Sequence, residues 1–259
     1  MQSVDSTNNY ARQLLQGNGL TNRAGGRTGE PVFTGHGTAV FAHEQTHGKG
    51  QRGKAWLSDT GSNIALSIIL NTSGLLLSRQ FQLSACVATA TYDLFSRYAG
   101  DETSIKWPND LYWRDRKAGG ILIETIVTSG QDGIPDSARW AWAIAGIGIN
   151  INQTVFDPAL PNPVSLKQIT GKDFDPVDLA KELCDALQQK FTLLLTEGFE
   201  KIYQQYLLHL YCRDQMVKLK KDNRVFEATI KTVLPNGKLV IAHAVEEEVD
   251  FGEVEWLIK

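Results

Sequence analysis

The chain has 259 residues, 42% hydrophobic and 21% charged, with 26 Lys and Arg against 29 Asp and Glu for a net charge of −3. That length and composition suit one large domain, or one with a small appendage, and argue against an intrinsically disordered chain. The near balance of charge excludes a general nucleic-acid coat but leaves room for a local basic pocket.

In chain order, residues 6–16 predict a short helix, capped by Ser6 or Thr7, with Tyr10, Leu14 and Leu15 as a narrow apolar stripe. Residues 17–38, rich in Gly, Thr and Asn and without periodicity, read as loop and, on composition, as a mobile one. A short strand over 39–42 leads into a glycine-rich segment ending near Trp56. A second strand, 63–70, is almost continuous in Ile and Leu, which predicts burial on both faces. Residues 79–98 carry Leu83, Val87, Ala90 and Leu94 at helical spacing. Strands follow over 104–107, 111–113, 120–127 and 140–152. Asp175-Pro176 is a helix start leading to Leu179, Leu183, Leu187 and Leu194, and a second helix spans 199–210.

Beyond Arg213 short alternating strands surround turn signals at Asp222-Asn223 and Pro235-Asn236-Gly237, as in a small β-barrel. Val254, Trp256 and Ile258 close that pattern. The expected class is α/β or α+β: a mixed, largely antiparallel sheet with flanking helices over 1–212, and the appended barrel over 213–259.

No basic stretch followed by an apolar one opens the chain, and the longest apolar runs, such as 64–70, fall far short of the ~18 residues of a membrane span. A cytoplasmic protein with no membrane partner is expected. Cys86, Cys184 and Cys212 are an odd number at wide spacing without C-x-x-C, and read as buried thiols rather than a disulfide frame or zinc site.

His43-Glu44-Gln45-Thr46-His47 matches the zinc-protease pattern H-E-x-x-H. That chemistry needs a helix, which alone puts both imidazoles on one face. Here a strand precedes the segment and Gly48, Gly50 and Gly53 follow it, so a chance match in a loop is the better account.

The same loop offers another chemistry. Glycines at 48, 50 and 53 let the backbone approach a ligand closely, while Lys49, Arg52 and Lys54 supply positive charge for a phosphate or carboxylate. It is not a Walker A loop, and a solvated turn would use the same residues. Lys106-Trp107-Pro108-Asn109-Asp110 is a rigid turn offering an amide that suits a base edge and a carboxylate that suits Mg²⁺, though hairpin turns favour these residues anyway. Lys117 precedes Ala118-Gly119-Gly120, too small to shield it at the mouth of a buried strand; a surface lysine is the common alternative. Gly146 and Gly148 within a strand mark a close backbone approach or plain sheet packing, with Asn150 just beyond.

In this order and spacing, these motifs resemble the biotin–protein ligase family. The resemblance includes Ser6-Thr7-Asn8, Glu44-Gln45-Thr46 before the basic loop, Trp56, Lys106 to Asp110, Lys117 with Gly120-Ile121-Leu122, and Gly146 to Asn150, and covers essentially the whole chain. It implies a class II synthetase-like fold with a C-terminal Src-homology-3-like barrel. It also implies ATP-dependent conversion of biotin to biotinyl-5′-adenylate, then transfer to one lysine of the biotin carboxyl-carrier domain of a carboxylase. Biotin and ATP would be substrates, with Mg²⁺ at Asp110 through water or phosphate. Ser6, Thr7, Asn8, Gln45, Lys49, Gly50, Gln51 and Lys117 would hold biotin. Arg52, Lys54, Trp56, Lys106, Asn109 and Asn150 would hold ATP, Trp56 on the adenine and Asn150 beside the phosphates. Lys117, Lys49 and Asp110 would be catalytic.

The loop departs from the family's G-R-G-R-x-G-R: Lys49, Gln51 and Lys54 replace its arginines. The second arginine is associated with retaining the adenylate, so with Gln51 either Arg52 substitutes or the intermediate escapes more readily. Some family members begin with a DNA-binding helix-turn-helix; only five residues precede Ser6, so a ligase that binds no nucleic acid is expected. A monomer and a homodimer both remain open. The rival readings are a lipoate ligase or octanoyltransferase, a binding module without turnover, and the zinc protease.

Overall fold

The computed structural model describes residues 1–17, 35–128 and 139–257. Most of the expected 17–38 loop, and Ile258 of the terminal alternation, lie outside them.

The chain opens with β1 (Ser3–Val4) and α1 (Thr7–Gly17), then β2 (Ala39–Phe41), β3 (Glu44–Gln45) and β4 (Ile64–Asn71). The long helix α2 (Gln80–Ala99) is followed by four strands, β5 (Thr103–Lys106), β6 (Asp110–Trp113), β7 (Arg116–Thr128) and β8 (Arg139–Ile149). Three helices come next, α3 (Leu166–Thr170), α4 (Pro176–Thr196) and α5 (Glu200–Leu208). The C-terminal strands are β9 (Met216–Lys221), β10 (Arg224–Val233), β11 (Leu239–Ala242), β12 (Glu246–Val249) and β13 (Glu255–Trp256).

The main sheet has six strands in the order β2-β4-β8-β7-β6-β5, antiparallel at every pairing. The parallel part of the expected mixed sheet is the separate pair β1–β3. In β4 the residues split between faces. Ile64, Leu66, Ile68 and Leu70 join the core formed with α2 and α4, and Ile69 joins a smaller core with Ala11 and Leu15 of α1. A strand clothed on both faces needs apolar residues at nearly every position, which explains the unbroken Ile/Leu run. The buried stripe of α1 is Ala11 and Leu15, with Tyr10 and Leu14 half-buried at its margin.

Asp175 caps α4 by accepting from the N–H groups of Val177 and Asp178, and Pro176 fills the first turn. The spaced leucines Leu179, Leu183, Leu187 and Leu194 are all buried. The short α3 is absent from the sequence expectations, although its capping box is present: Ser165 accepts from the Gln168 N–H while the Gln168 side chain accepts from the Ser165 N–H.

The five C-terminal strands form an antiparallel sheet in the order β12-β11-β10-β9-β13. Its apolar face, including Leu219, Ile230, Leu239 and Val249, belongs to the same buried cluster as the main sheet. Two side chains tie it down further: the Trp107 indole donates to the Gly237 carbonyl at 2.8 Å, and the Tyr203 hydroxyl to that of Val233 at 2.7 Å.

Two local expectations are corrected. Lys117 lies within β7 rather than before it, because a bulge opposite Leu111 and Tyr112 lets pairing begin at Arg116. Of the three free thiols only Cys86 is buried, its pKa pushed up to about 12 by burial, whereas Cys184 and Cys212 are half-buried. No helix among the described residues is long and apolar enough to cross a membrane.

Candidate active site

A cleft of about 1320 Å³ opens on the α1 face of the main sheet, between the glycine-rich loop and the β9–β13 end of the C-terminal sheet. Every residue that the resemblance assigns to biotin, ATP, Mg²⁺ or catalysis lines it.

Its floor exists because Gly146 and Gly148, two apart on β8, share one face. A Cβ at Gly146 would stand 2.3 Å from Asn8 Oδ1, and one at Gly148 would stand 2.5 Å from the Trp56 ring. The start of α1 forms the adjoining wall. The Thr7 N–H and hydroxyl both donate to Gln45 Oε1, at 2.8 and 3.1 Å, so the β3 side chain satisfies that helix end. The Ser67 hydroxyl lies 2.7 Å from Thr7 Oγ1 and 2.6 Å from Asn8 Oδ1, and the three side chains are buried with Ser6. The Ser6-Thr7-Asn8 wall is thus braced from β3 and from β4.

The basic loop folds back on itself. Gly50 N–H donates to the Lys54 carbonyl at 2.7 Å, Trp56 N–H to that of Gly48 at 2.9 Å, and a 3₁₀ turn (Gln51–Gly53) forms the tip. Gly48 is required where the two arms cross, since a Cβ there would lie 2.4 Å from the Trp56 carbonyl oxygen. Lys49 donates to Asn9 Oδ1 on α1. Gln51 donates to the Ile121 carbonyl at 3.2 Å, while Arg52 reaches across to the Gly252 carbonyl at 3.1 Å.

Opposite the loop, the turn between β5 and β6 holds Trp107, Pro108 and Asn109. The buried Asn109 amide donates to the Ile121 carbonyl, and Ile121 N–H returns a bond to Asn109 O at 3.1 Å. The amide expected to read a base edge therefore also fastens this turn to β7. Asp110 then begins β6, and Lys117 Nζ donates to its Oδ1 at 2.7 Å. Gly120 leaves room for the pair: a Cβ there would meet Asp110 Oδ1 at 3.3 Å and Lys117 Nζ at 3.5 Å. The Asn150 amide donates to the Val164 carbonyl at 3.1 Å, so it fixes the following segment from the cleft wall.

Lys106 stands where the two sheets meet, its ammonium 5.3 Å from the Tyr112 ring and 5.1 Å from the Trp256 ring. Burial lowers its pKa to about 8; Asp110 and Cys212 oppose that shift, and Lys117 and Lys54 reinforce it. Below pH 8 the ammonium is charged in both folded and unfolded chains, and the cost of burying it is fully present. Between about 8 and the ordinary 10.5 the unfolded chain binds more protons, so stability rises with pH across that window. Thermal midpoints of the protein and of Lys106→Met, compared from pH 7 to 10, are expected to show a rise confined to the lysine-bearing chain. Parallel curves would contradict this environment for Lys106.

The H-E-x-x-H match is not helical. Glu44 and Gln45 form β3, and no group of three His, Cys, Asp or Glu side chains among the described residues could hold a metal. The zinc-protease reading falls, because a two-residue strand followed by a turn does not stack the residues at 43 and 47 one helical turn apart.

Sequence reasoning missed the fourth wall, where Phe251, Gly252 and Trp256 face the loop and the 106–110 turn. These residues lie some two hundred positions from Arg52, and no local pattern marks such a contact.

A family model described as the biotin/lipoate A/B protein ligase family matches residues 33–134. The chain is 34% identical over 175 residues to the biotin–[acetyl-CoA-carboxylase] ligase of Paracoccus denitrificans, covering 65% of this chain and 68% of that protein. It is 32% identical over 171 residues to the bifunctional ligase/repressor BirA of Bacillus spizizenii, covering 64% of this chain and 49% of that protein. The chain thus spans about half the length of the BirA relatives it matches. A biotin protein ligase from Aquifex aeolicus, solved in complex with biotin and ATP, superposes with a TM-score of 0.75 at 23% identity, over 100% of this chain and 97% of that one.

The architecture is therefore the biotin protein ligase fold, with a cleft on the α1 face of its antiparallel sheet. The chain belongs to the biotin/lipoate A/B protein ligase family.

Proposed function

We propose that this protein activates biotin with ATP and transfers the biotinyl group to a lysine of a biotin carboxyl-carrier domain. The observation that carries the reading is the Lys117–Asp110 pair, at 2.7 Å, in a cleft that also holds the Gly146/Gly148 floor and the basic loop. The relatives named as biotin ligases, and the related structure solved with biotin and ATP, support it.

In the first step a biotin carboxylate oxygen bonds to the α-phosphorus of ATP while the bond to the bridging oxygen breaks and pyrophosphate leaves. Two anions meet, so the barrier is electrostatic and positional, and preplaced cations lower it. Lys117 supplies one at the carboxylate and α-phosphate; Lys49, Lys54 and Lys106 supply others along the cleft. In the second step the neutral amine of the acceptor lysine attacks the mixed-anhydride carbonyl and AMP departs. Ser6, Thr7, Asn8, Gln45, Gly50 and Gln51 would enclose biotin, while Arg52, Trp56, Asn109 and Asn150 would flank the nucleotide.

The cleft's carboxylates do not gather into a group that could hold a metal among the described residues, which fits Mg²⁺ that arrives on nucleotide phosphates better than a resident ion held in a protein cage. Asp110 would hold it through water or phosphate, and the ion when bound would neutralise phosphate charge. Residues 1–212 would form the catalytic unit, and 213–259 a small Src-homology-3-like barrel closing its fourth wall.

Pyrophosphate release should depend on biotin and fail with lipoate in its place. Equal or greater release with lipoate would move the chain to the lipoate ligase side of the family. Tight biotin binding without release would mark a binding module.

A further inference from the structure

The tip of the basic loop carries a contact that phosphate binding does not call for. Arg52 is a non-glycine residue at φ 55°, ψ 37°, in the left-handed region, where only a few per cent of such residues sit. With that backbone its side chain crosses the rim of the cleft and donates to the Gly252 carbonyl at 3.1 Å, across 200 residues of sequence.

The acceptor is built to receive it. Gly252 has φ +89°, and a Cβ there would stand 2.8 Å from Arg52 Nη1 and 2.9 Å from Cζ. Its turn is self-braced: Glu253 N–H donates to the Asp250 carbonyl at 3.1 Å, and Asp250 N–H to the Glu253 carboxylate at 3.0 Å. The turn is also fixed to the catalytic unit, with Phe251 edge-on to Trp107 at 6.1 Å. On the opposite side of the tip Gln51 donates to the Ile121 carbonyl. The loop is therefore pinned at both sides of the cleft, to β7 by Gln51 and to the C-terminal sheet by Arg52.

We propose that Arg52 is a positioning residue: by hooking the Gly252 carbonyl it makes the 250–253 turn a latch that holds the glycine-rich loop closed. Resting on the biotin-activation reading above, the latch retains the acyl-adenylate until an acceptor lysine arrives. A guanidinium bound to one exposed carbonyl is a weak tie, so the latch can open for substrates and hold between turnovers.

The test uses the full-length protein, with Gly252→Ala to displace the guanidinium and Arg52→Ala to remove it. Gly198→Ala is the control, since Gly198 has φ +86° with nothing within 4 Å of its Cβ position and so carries the backbone strain alone. The first readout is the rate of trypsin cleavage after Lys49 and Lys54 without ligands. Both latch variants are expected to be cut at least fivefold faster than the parent, and Gly198→Ala at the parent rate. The second readout is free biotinyl-adenylate escaping when acceptor is withheld, expected to rise at least fivefold in Gly252→Ala.

Unchanged cleavage in Gly252→Ala and Arg52→Ala would overturn the latch, as would an equal rise in Gly198→Ala. Faster cleavage with unchanged escape would overturn its role in retention. A parent protein that makes no adenylate would sink the biotin reading instead, while the cleavage rates still decide the contact. If Gly252→Ala fails to fold, Arg52→Ala carries the cleavage readout, and escape from it at the parent rate would overturn retention.

Discussion

Lys117→Ala is expected to keep the fold and lose most adenylate formation, by about a hundredfold to a thousandfold, the usual cost of removing one preplaced donor from a developing charge. The side chain sits part-exposed at the cleft on a strand whose backbone pairing does not need it: Lys117 N–H donates to the Asn162 carbonyl, and Val164 N–H to that of Lys117. What alanine removes is the cation 2.7 Å from Asp110, at the place where the proposed reaction brings a carboxylate and a phosphate together. The loss should therefore fall on the chemical step more than on biotin affinity. Single-turnover pyrophosphate release beside a biotin titration separates the two, and near-normal release would remove Lys117 from the mechanism.

Gly148→Ala is the second large effect. Gly148 is not among the glycines at positive φ, so alanine there brings no conformational penalty of that kind and its consequence is steric. The new methyl would stand 2.5 to 2.9 Å from Trp56 Cε2, Cζ2 and Nε1, and the indole must leave the floor it covers. Overpacking of that sort costs about 1–3 kcal/mol. If the cost falls on the bound state, ligand affinity drops roughly fivefold to a hundredfold at about 1.4 kcal/mol per tenfold. Calorimetric titration of biotin and of a non-hydrolysable ATP analogue would measure it. Unaltered affinity for both would mean that Trp56 and the floor do not shape the site.

Much of this candidate site was legible in the sequence because the residues that line the cleft fall in short local patterns. Glycines two apart on a strand have to share a face, and a lysine beside Ala118-Gly119-Gly120 has nothing bulky next to it. The Ile/Leu run of β4 announced two covered faces, and Asp175-Pro176 announced the start of α4. Other features obey rules that reach further than a local window. The start of β7 depends on a bulge opposite β6. The buried stripe of α1 shifted to Ala11 and Leu15 because the sheet it packs on, not the hydropathy of Tyr10 and Leu14, selects the face. The α3 capping box, Ser165 to Gln168, was readable and was overlooked, since a five-residue helix shows no periodicity. The contact of Arg52 with Gly252 belongs to tertiary structure alone, as does the bond from the Asn109 amide to the Ile121 carbonyl.

The measurement that tests the account most directly is transfer of biotin to a carboxyl-carrier domain by the purified chain, with ATP and Mg²⁺, using lipoate and an acceptor lacking its target lysine as comparators. The account predicts labelling that requires ATP, biotin and that lysine. No labelling of the intact acceptor, by a protein shown to be folded, would contradict it.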